Sequence, residues 1–133
     1  MSTVFADASY FFAFLNSKDE LYARARAFTE GFDGRMLTTA WVLTEVADGM
    51  ADPMDRPAFI AFLEGLRIDP QVRIVPATEA LWDAGIARYA ARPDKDWSLT
   101  DCISFVVMER EGLSDALTGD RHFAQAGFNV LLK

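Results

Sequence analysis

The sequence predicts an α/β sandwich built on a mostly parallel, five-stranded sheet. Two observations predict it. Short apolar runs suited to buried strands alternate along the chain with longer segments of helical periodicity. Acidic residues also fall at the ends of those runs, on the rim where open α/β sheets gather their ligands.

The chain has 133 residues, about half of them apolar and 11 of them Phe. That is enough for a real core and is expected to fold as one domain, residues 1–133. The 13 basic residues stand against 20 acidic ones, for a formal net charge of −7. Such a balance disfavours broad non-specific binding to nucleic acid, which uses a basic surface. It leaves open an enzyme that reaches nucleic acid through bound cations, and a basic protein partner. The single cysteine, Cys102, forms no internal disulfide and points to a reducing compartment, hence the cytoplasm. The N-terminus has no basic run, and Phe11 to Leu15 is too short to span a bilayer, so no membrane association is expected.

In chain order, Val4 to Ala6 reads as a buried strand closed by Asp7. Ala8 to Leu15 is a short apolar helix. Ser17 or Asp19 is the expected cap of a helix over 20–32, with Leu21, Ala25 and Phe28 as its inner stripe. Met36 to Thr38 is the second strand, and Thr38 or Thr39 caps the helix that carries Trp41, Val42, Leu43, Glu45 and Val46. Glu45 is an acid among strong apolar neighbours, either at the edge of a buried face or held there for a purpose. Pro57 suits the first turn of the next helix, whose stripe is Phe59, Ile60, Phe62, Leu63 and Leu66.

Val72 to Val75 is the third strand. A helix follows from Glu79 to about Ala91, with Leu81, Trp82, Gly85, Ile86 and Tyr89 partly inward. The polar loop 92–97, broken by Pro93, leads to an almost continuous apolar helix from Asp101, with Thr100 as its expected cap. That density predicts a central helix covered on most sides. Gly112 ends it. Leu113 to Thr118 holds the fourth strand, Arg121 to Gln125 a short helix, and Phe128 to Leu131 the last strand.

Asp7 follows the first strand and Asp120 the fourth. Asp101 opens the helix that feeds the fourth strand, and Glu45 lies in the helix after the second. If all four face one rim, their mutual repulsion calls for a counter-ion. The donors are hard oxygens, with almost no His or Cys, which indicates Mg2+ or Mn2+ rather than structural zinc. Such an ion suits phosphodiester hydrolysis. The plain alternative is that 20 acids in 133 residues place some at element ends by chance.

Four segments carry a resemblance: Val4 to Ser9, Leu37 to Glu45, Asp96 to Cys102 and Ala116 to Phe123. In this order and spacing they resemble the PIN-domain ribonucleases, and more narrowly the toxin of a VapBC-type toxin–antitoxin pair. The resemblance implies a PIN-like three-layer α/β/α sandwich. It implies a metal-binding, catalytic quartet of Asp7, Glu45, Asp101 and Asp120, with Asp96 as an accessory acid. Ser9 and Thr118 match small polar positions beside such a site. It also implies Mg2+- or Mn2+-dependent cleavage of single-stranded RNA, a homodimer, and a small antitoxin laid across the acidic groove. On that expectation Asp7, Asp101 and Asp120 hold the cation, directly or through water. Glu45 binds it or orients and deprotonates the attacking water. The exposed aromatics of the early helices are the expected dimer surface.

Lys95, Arg92 and Arg121 are candidate RNA contacts, with surface ion pairing as the alternative. His122 is expected to be solvent-exposed on its short helix rather than a phosphate contact. Trp97 is expected to pack over the loop rather than stack on a base, and Cys102 to be a small buried residue. Competing readings are a PIN-like nuclease of RNA processing or DNA flaps with no toxin role, and an inactive interaction protein that keeps the fold. The retained quartet argues against the second. A receiver-type phospho-acceptor is disfavoured because the third strand ends Val75-Pro76, without an acid.

Overall fold

A computed structural model describes residues 2–133. The strands are β1 (Thr3–Ala6), β2 (Arg35–Thr39), β3 (Val72–Val75), β4 (Asp115–Leu117) and β5 (Asn129–Val130). The helices are α1 (Ala8–Leu15), α2 (Tyr22–Gly31), α3 (Ala40–Gly49), α4 (Arg56–Ile68), α5 (Glu79–Ala91), α6 (Leu99–Arg110) and α7 (Arg121–Gln125). The sheet runs β3-β2-β1-β4-β5 and every pairing is parallel. The five-stranded α/β architecture is therefore as expected, with no antiparallel member among the described residues.

The strand order places the site. The chain moves from β1 outward through β2 to β3, then returns to β4 on the other side of β1. β1 and β4 thus flank the point where the winding reverses, and crevices open at such points beyond the strands' carboxyl ends. Phe5 pairs with Ala116 and Ala6 with Leu117. That register brings the next residues, Asp7 and Thr118, side by side. Right-handed crossovers put α1 to α4 on one face and α5 to α7 on the other.

β1 is the centre of the core, with Val4, Phe5 and Ala6 all buried. α6 is buried without interruption from Asp101 to Met108, which is the covered central helix that its sequence predicts. An aromatic chain runs beneath the rim. Trp97 meets Phe105 edge-on at 5.1 Å, Phe105 meets Phe123 at 5.0 Å, and Phe123 lies 6.3 Å from Phe5. These rings tie together the four segments that carry Asp96, Asp101, Asp120 and Asp7. α5 packs closely on α6 at Gly85, where a Cβ would stand 2.3 Å from Ile103 Cγ1.

Several local expectations are corrected. Ser98, not Thr100, caps α6: its backbone is extended and its Oγ accepts from the Asp101 N–H. Thr100 already lies in the first turn. Neither Ser17 nor Asp19 caps α2, which starts at Tyr22; the Asp19 carboxylate instead closes a turn by accepting from the Leu21 N–H. Of the two threonines before α3, Thr39 is the cap and Thr38 donates to the Ala6 carbonyl.

Ile60, Trp82, Ile86 and Tyr89 face solvent rather than the core, Tyr89 by 54%. α5 meets α6 through its small face at Gly85, so its apolar stripe is wider than its contact. The aromatics of α1 are correspondingly buried or packed on the core. Exposed large apolar surface lies on α4 and α5, and not on the early helices as expected. No helix among the described residues is long and apolar enough to cross a membrane.

Candidate metal centre

Asp7 sits between the end of β1 and the start of α1, and only 5% of its surface is exposed. Its Oδ2 accepts from Thr118 Oγ1 at 2.9 Å. Burial pushes its pKa up to about 6; the Thr118 hydroxyl and the Ala8 N–H pull the other way, and the charges of Asp101 and Asp120 add to the rise.

Thr118 organises the rim. Its Oγ1 also accepts from the Asp120 N–H at 3.0 Å and lies 2.8 Å from Ser9 Oγ. Thr118 has one hydroxyl proton and gives it to Asp7, so towards Ser9 it accepts. Ser9 Oγ in turn accepts from the Gly119 N–H at 3.1 Å. Gly119 packs against the end of the Leu21 side chain, where a Cβ would stand 2.4 Å from Leu21 Cδ1 and move it aside.

Asp101 belongs to a capping box. Its Oδ2 accepts from the Ser98 N–H at 3.2 Å while its own N–H donates to Ser98 Oγ at 3.0 Å. The helix start therefore fixes where this carboxylate points. Burial raises its pKa, His122 and the Ser98 N–H oppose the rise, and Asp120 adds to it. Asp120 caps α7, its Oδ1 accepting from the His122 N–H at 2.9 Å.

Glu45 lies in the middle of α3 with much of its surface exposed. Its pKa is nevertheless pushed up to about 7, first by burial of the carboxyl and then by the charges of Asp7, Asp101, Asp120 and Asp48. Three acids from other elements thus share its field. Asp7, Glu45, Asp101 and Asp120 are brought to one rim.

Asp96 is joined to this group through a residue that the sequence reading places elsewhere. His122 is not solvent-exposed: its side chain is 18% exposed and faces three carboxylates. Nδ1 lies 3.0 Å from Asp101 Oδ2 and 3.4 Å from Asp120 Oδ1, and Nε2 lies 3.1 Å from Asp96 Oδ1. The signal available in sequence was the chain's sole histidine two residues after a strand-end acid. Spacing alone could not show that α7 turns the ring inward.

The basic candidates stay at the margin. Lys95 Nζ lies 6.0 Å from the Trp97 ring centroid and Arg92 lies 5.3 Å from it. Arg92 also grips Asp94 through two 3.0 Å hydrogen bonds. Arg121 is exposed at the start of α7. Trp97 is buried, donating to Gln125 Oε1 at 3.0 Å, and so packs over the loop. Tyr89, Arg92, Lys95, Asp96 and Trp97 line a cavity of about 450 Å³, with Asp96 as its one acid.

The donor set fits a divalent cation. Ligand atoms of Asp101, Asp120 and His122 lie within 4.8 Å of one another. Asp7 and Glu45 share the same field, and their raised pKa values reflect burial first and then like charges, a repulsion that a cation would offset.

Comparison with known proteins agrees with this architecture. The 23S rRNA-specific endonuclease VapC20 of Mycobacterium tuberculosis is 25% identical over 125 residues, which are 94% of this chain and 95% of that protein. The crystal structure of M. tuberculosis VapC20, described as a sarcin–ricin loop cleaving toxin, superposes with a TM-score of 0.85 at 24% identity over 96% of both chains. FitAcB from Neisseria gonorrhoeae superposes with a TM-score of 0.67 at 18% identity, over 96% of both chains. VapBC2 from Rickettsia felis, bound to a DNA fragment from its promoter, also gives 0.67, at 9% identity over 97% of this chain and 96% of that one. A family model described as the PIN domain matches residues 4–129, and the chain belongs to the PIN-domain family.

Proposed function

We propose that this chain is a metal-dependent endoribonuclease, with residues 1–133 acting as one nuclease domain, and that it is the toxin of a type II toxin–antitoxin pair. The observation that carries the reading is the linkage of Asp7, Asp101 and Asp120 through Thr118 and His122 where the sheet's winding reverses, with Glu45 within reach of their charge. The relatives add direction: one is named for cleavage of 23S rRNA, and another structure is a VapBC pair on promoter DNA. RNA, single-stranded or structured, is the substrate and a small antitoxin the partner. The exposed apolar residues of α4 and α5 are the surface for a homodimer or the antitoxin, and the cytoplasm is the site of action.

Asp7, Asp101 and Asp120 are the residues that would hold Mg2+ or Mn2+. The bound ion supplies positive charge for the phosphate oxygens and lowers the pKa of water beside it. Thr118 keeps Asp7 in one orientation, and Ser98 does the same for Asp101. Glu45, whose pKa stands near 7, accepts a proton from the attacking water on a carboxylate oxygen. Lys95 and Arg121 flank the rim and guide the RNA backbone, and the cavity beside Lys95 and Asp96 takes part of the strand.

The test is incubation of the untagged protein with total RNA, followed by end mapping. Discrete new ends should form in Mg2+ or Mn2+, vanish with a chelator and return on restoring the ion. Intact RNA under all three conditions would refute the proposal.

A further inference from the structure

We propose that His122 is a metal ligand through Nδ1, on one face of the cation site with Asp101 and Asp120, and that Asp96 is the positioning residue that holds its ring. The inference rests on the reading of this rim as a metal site. Three observations support it.

The first is spacing. His122 Nδ1 lies 3.0 Å from Asp101 Oδ2 and 3.4 Å from Asp120 Oδ1. Neighbouring ligands on an octahedral ion with bonds of about 2.1 Å stand about 3 Å apart. The nitrogen therefore stands from each carboxylate oxygen at close to the spacing of adjacent ligands, and ligand atoms of all three residues lie within 4.8 Å of one another.

The second is the far side of the ring. Nε2 lies 3.1 Å from Asp96 Oδ1. A histidine that ligates a metal through one nitrogen commonly donates its other N–H to a carboxylate, which fixes tautomer and orientation. Asp96 occupies that place. It stands at the end of the polar loop, with its side chain 74% exposed, against the ring nitrogen that Asp101 and Asp120 do not contact.

The third is anchoring. The His122 N–H donates to Asp120 Oδ1, so the backbone that carries the ring is fixed to a neighbouring ligand. Phe123, the next residue, is fully buried against Phe5 and Phe105. The ring is thus held from the main chain, from Asp96 and from the core.

An imidazole among carboxylates changes what the site prefers. Nitrogen donors favour transition ions over Mg2+, which keeps to oxygen. The site should therefore bind Mn2+ more tightly than Mg2+, and His122→Asn should narrow that ratio. Asp96→Asn should weaken Mn2+ binding roughly tenfold.

His122 is the chain's only histidine, so nitrogen labelling reads it alone. The experiment is pulsed electron spin resonance on the untagged, full-length protein loaded with Mn2+, grown with natural or 15N-labelled histidine. The expected result is a directly coupled 14N signal that changes to the 15N pattern on labelling. Bound Mn2+ without histidine nitrogen coupling overturns the ligand assignment and leaves the metal-nuclease reading standing. Failure of the wild-type protein to bind Mn2+ overturns both. No variant needs to fold for this measurement to decide.

Discussion

Thr118 donates its hydroxyl proton to Asp7 at 2.9 Å, across the tips of two neighbouring strands. The bond exists because Ala6 pairs with Leu117, so the residues one step further emerge side by side. It joins the most buried acid of the rim to the strand that delivers Asp120.

Thr118→Val keeps the shape and removes the hydroxyl. Asp7 then loses the strongest contact that favours its charged form, and its pKa moves further above about 6. The acidic limb of the pH–rate profile should shift to higher pH. Cation affinity should fall roughly tenfold, as for other residues that orient a ligand. Titrations and pH–rate curves of the two proteins check both.

Metal-free stability should decline as pH rises through 4 to 7. The Asp7 carboxyl has a folded pKa raised from 3.8 to about 6, so folding binds its proton more tightly than the unfolded chain does. The associated stabilisation is complete below pH 4 and is lost as pH passes 6. Being buried, Asp7 contributes up to about 3 kcal/mol; Glu45 has the same sign but is solvent-screened and adds less. Asp7→Asn should therefore stabilise the metal-free protein at pH 8, and divalent cation should stabilise the wild type more than this variant. Thermal melts across pH, with and without Mg2+, read this directly.

Ser98→Ala should cost about 1 kcal/mol by removing the cap of α6. It should also weaken cation binding, because the Asp101 backbone loses its side of the capping box. Thr100→Ala should leave cation binding unchanged. Equal effects of the two substitutions on binding would contradict the assignment of the cap.

Gly85→Val should destabilise the fold by about 1–3 kcal/mol, since any Cβ meets Ile103 on the central helix. Chemical denaturation gives the value. Gly65→Ala, on the outer face of α4 where a Cβ has open space, is the matched control and should be neutral or stabilising.

The strands and helices were legible from periodicity because each buried run is bounded by an acid, a glycine or a proline. Asp7 and Asp120 stood out because each directly ends an apolar run. The cap of α6 was misplaced by two residues: Ser98 and Thr100 are both cap formers, and only the backbone angle of Ser98 separates them. Trp82, Ile86 and Tyr89, read as partly inward, are more exposed than their spacing suggests, because amphipathic spacing does not report how many neighbours a helix has. His122 was hidden for a different reason. Its contacts come from the loop, from α6 and from its own helix cap, and only the folded chain brings these together.

The most direct measurement is the RNA cleavage rate of Asp101→Asn in saturating Mg2+, beside the wild type. Asparagine keeps an oxygen for the Ser98 N–H, so α6 should stay capped and the variant should melt near the wild-type temperature. The account predicts a folded protein whose rate is lower by about 100-fold to 1,000-fold. A folded variant that cleaves RNA at the wild-type rate would contradict it.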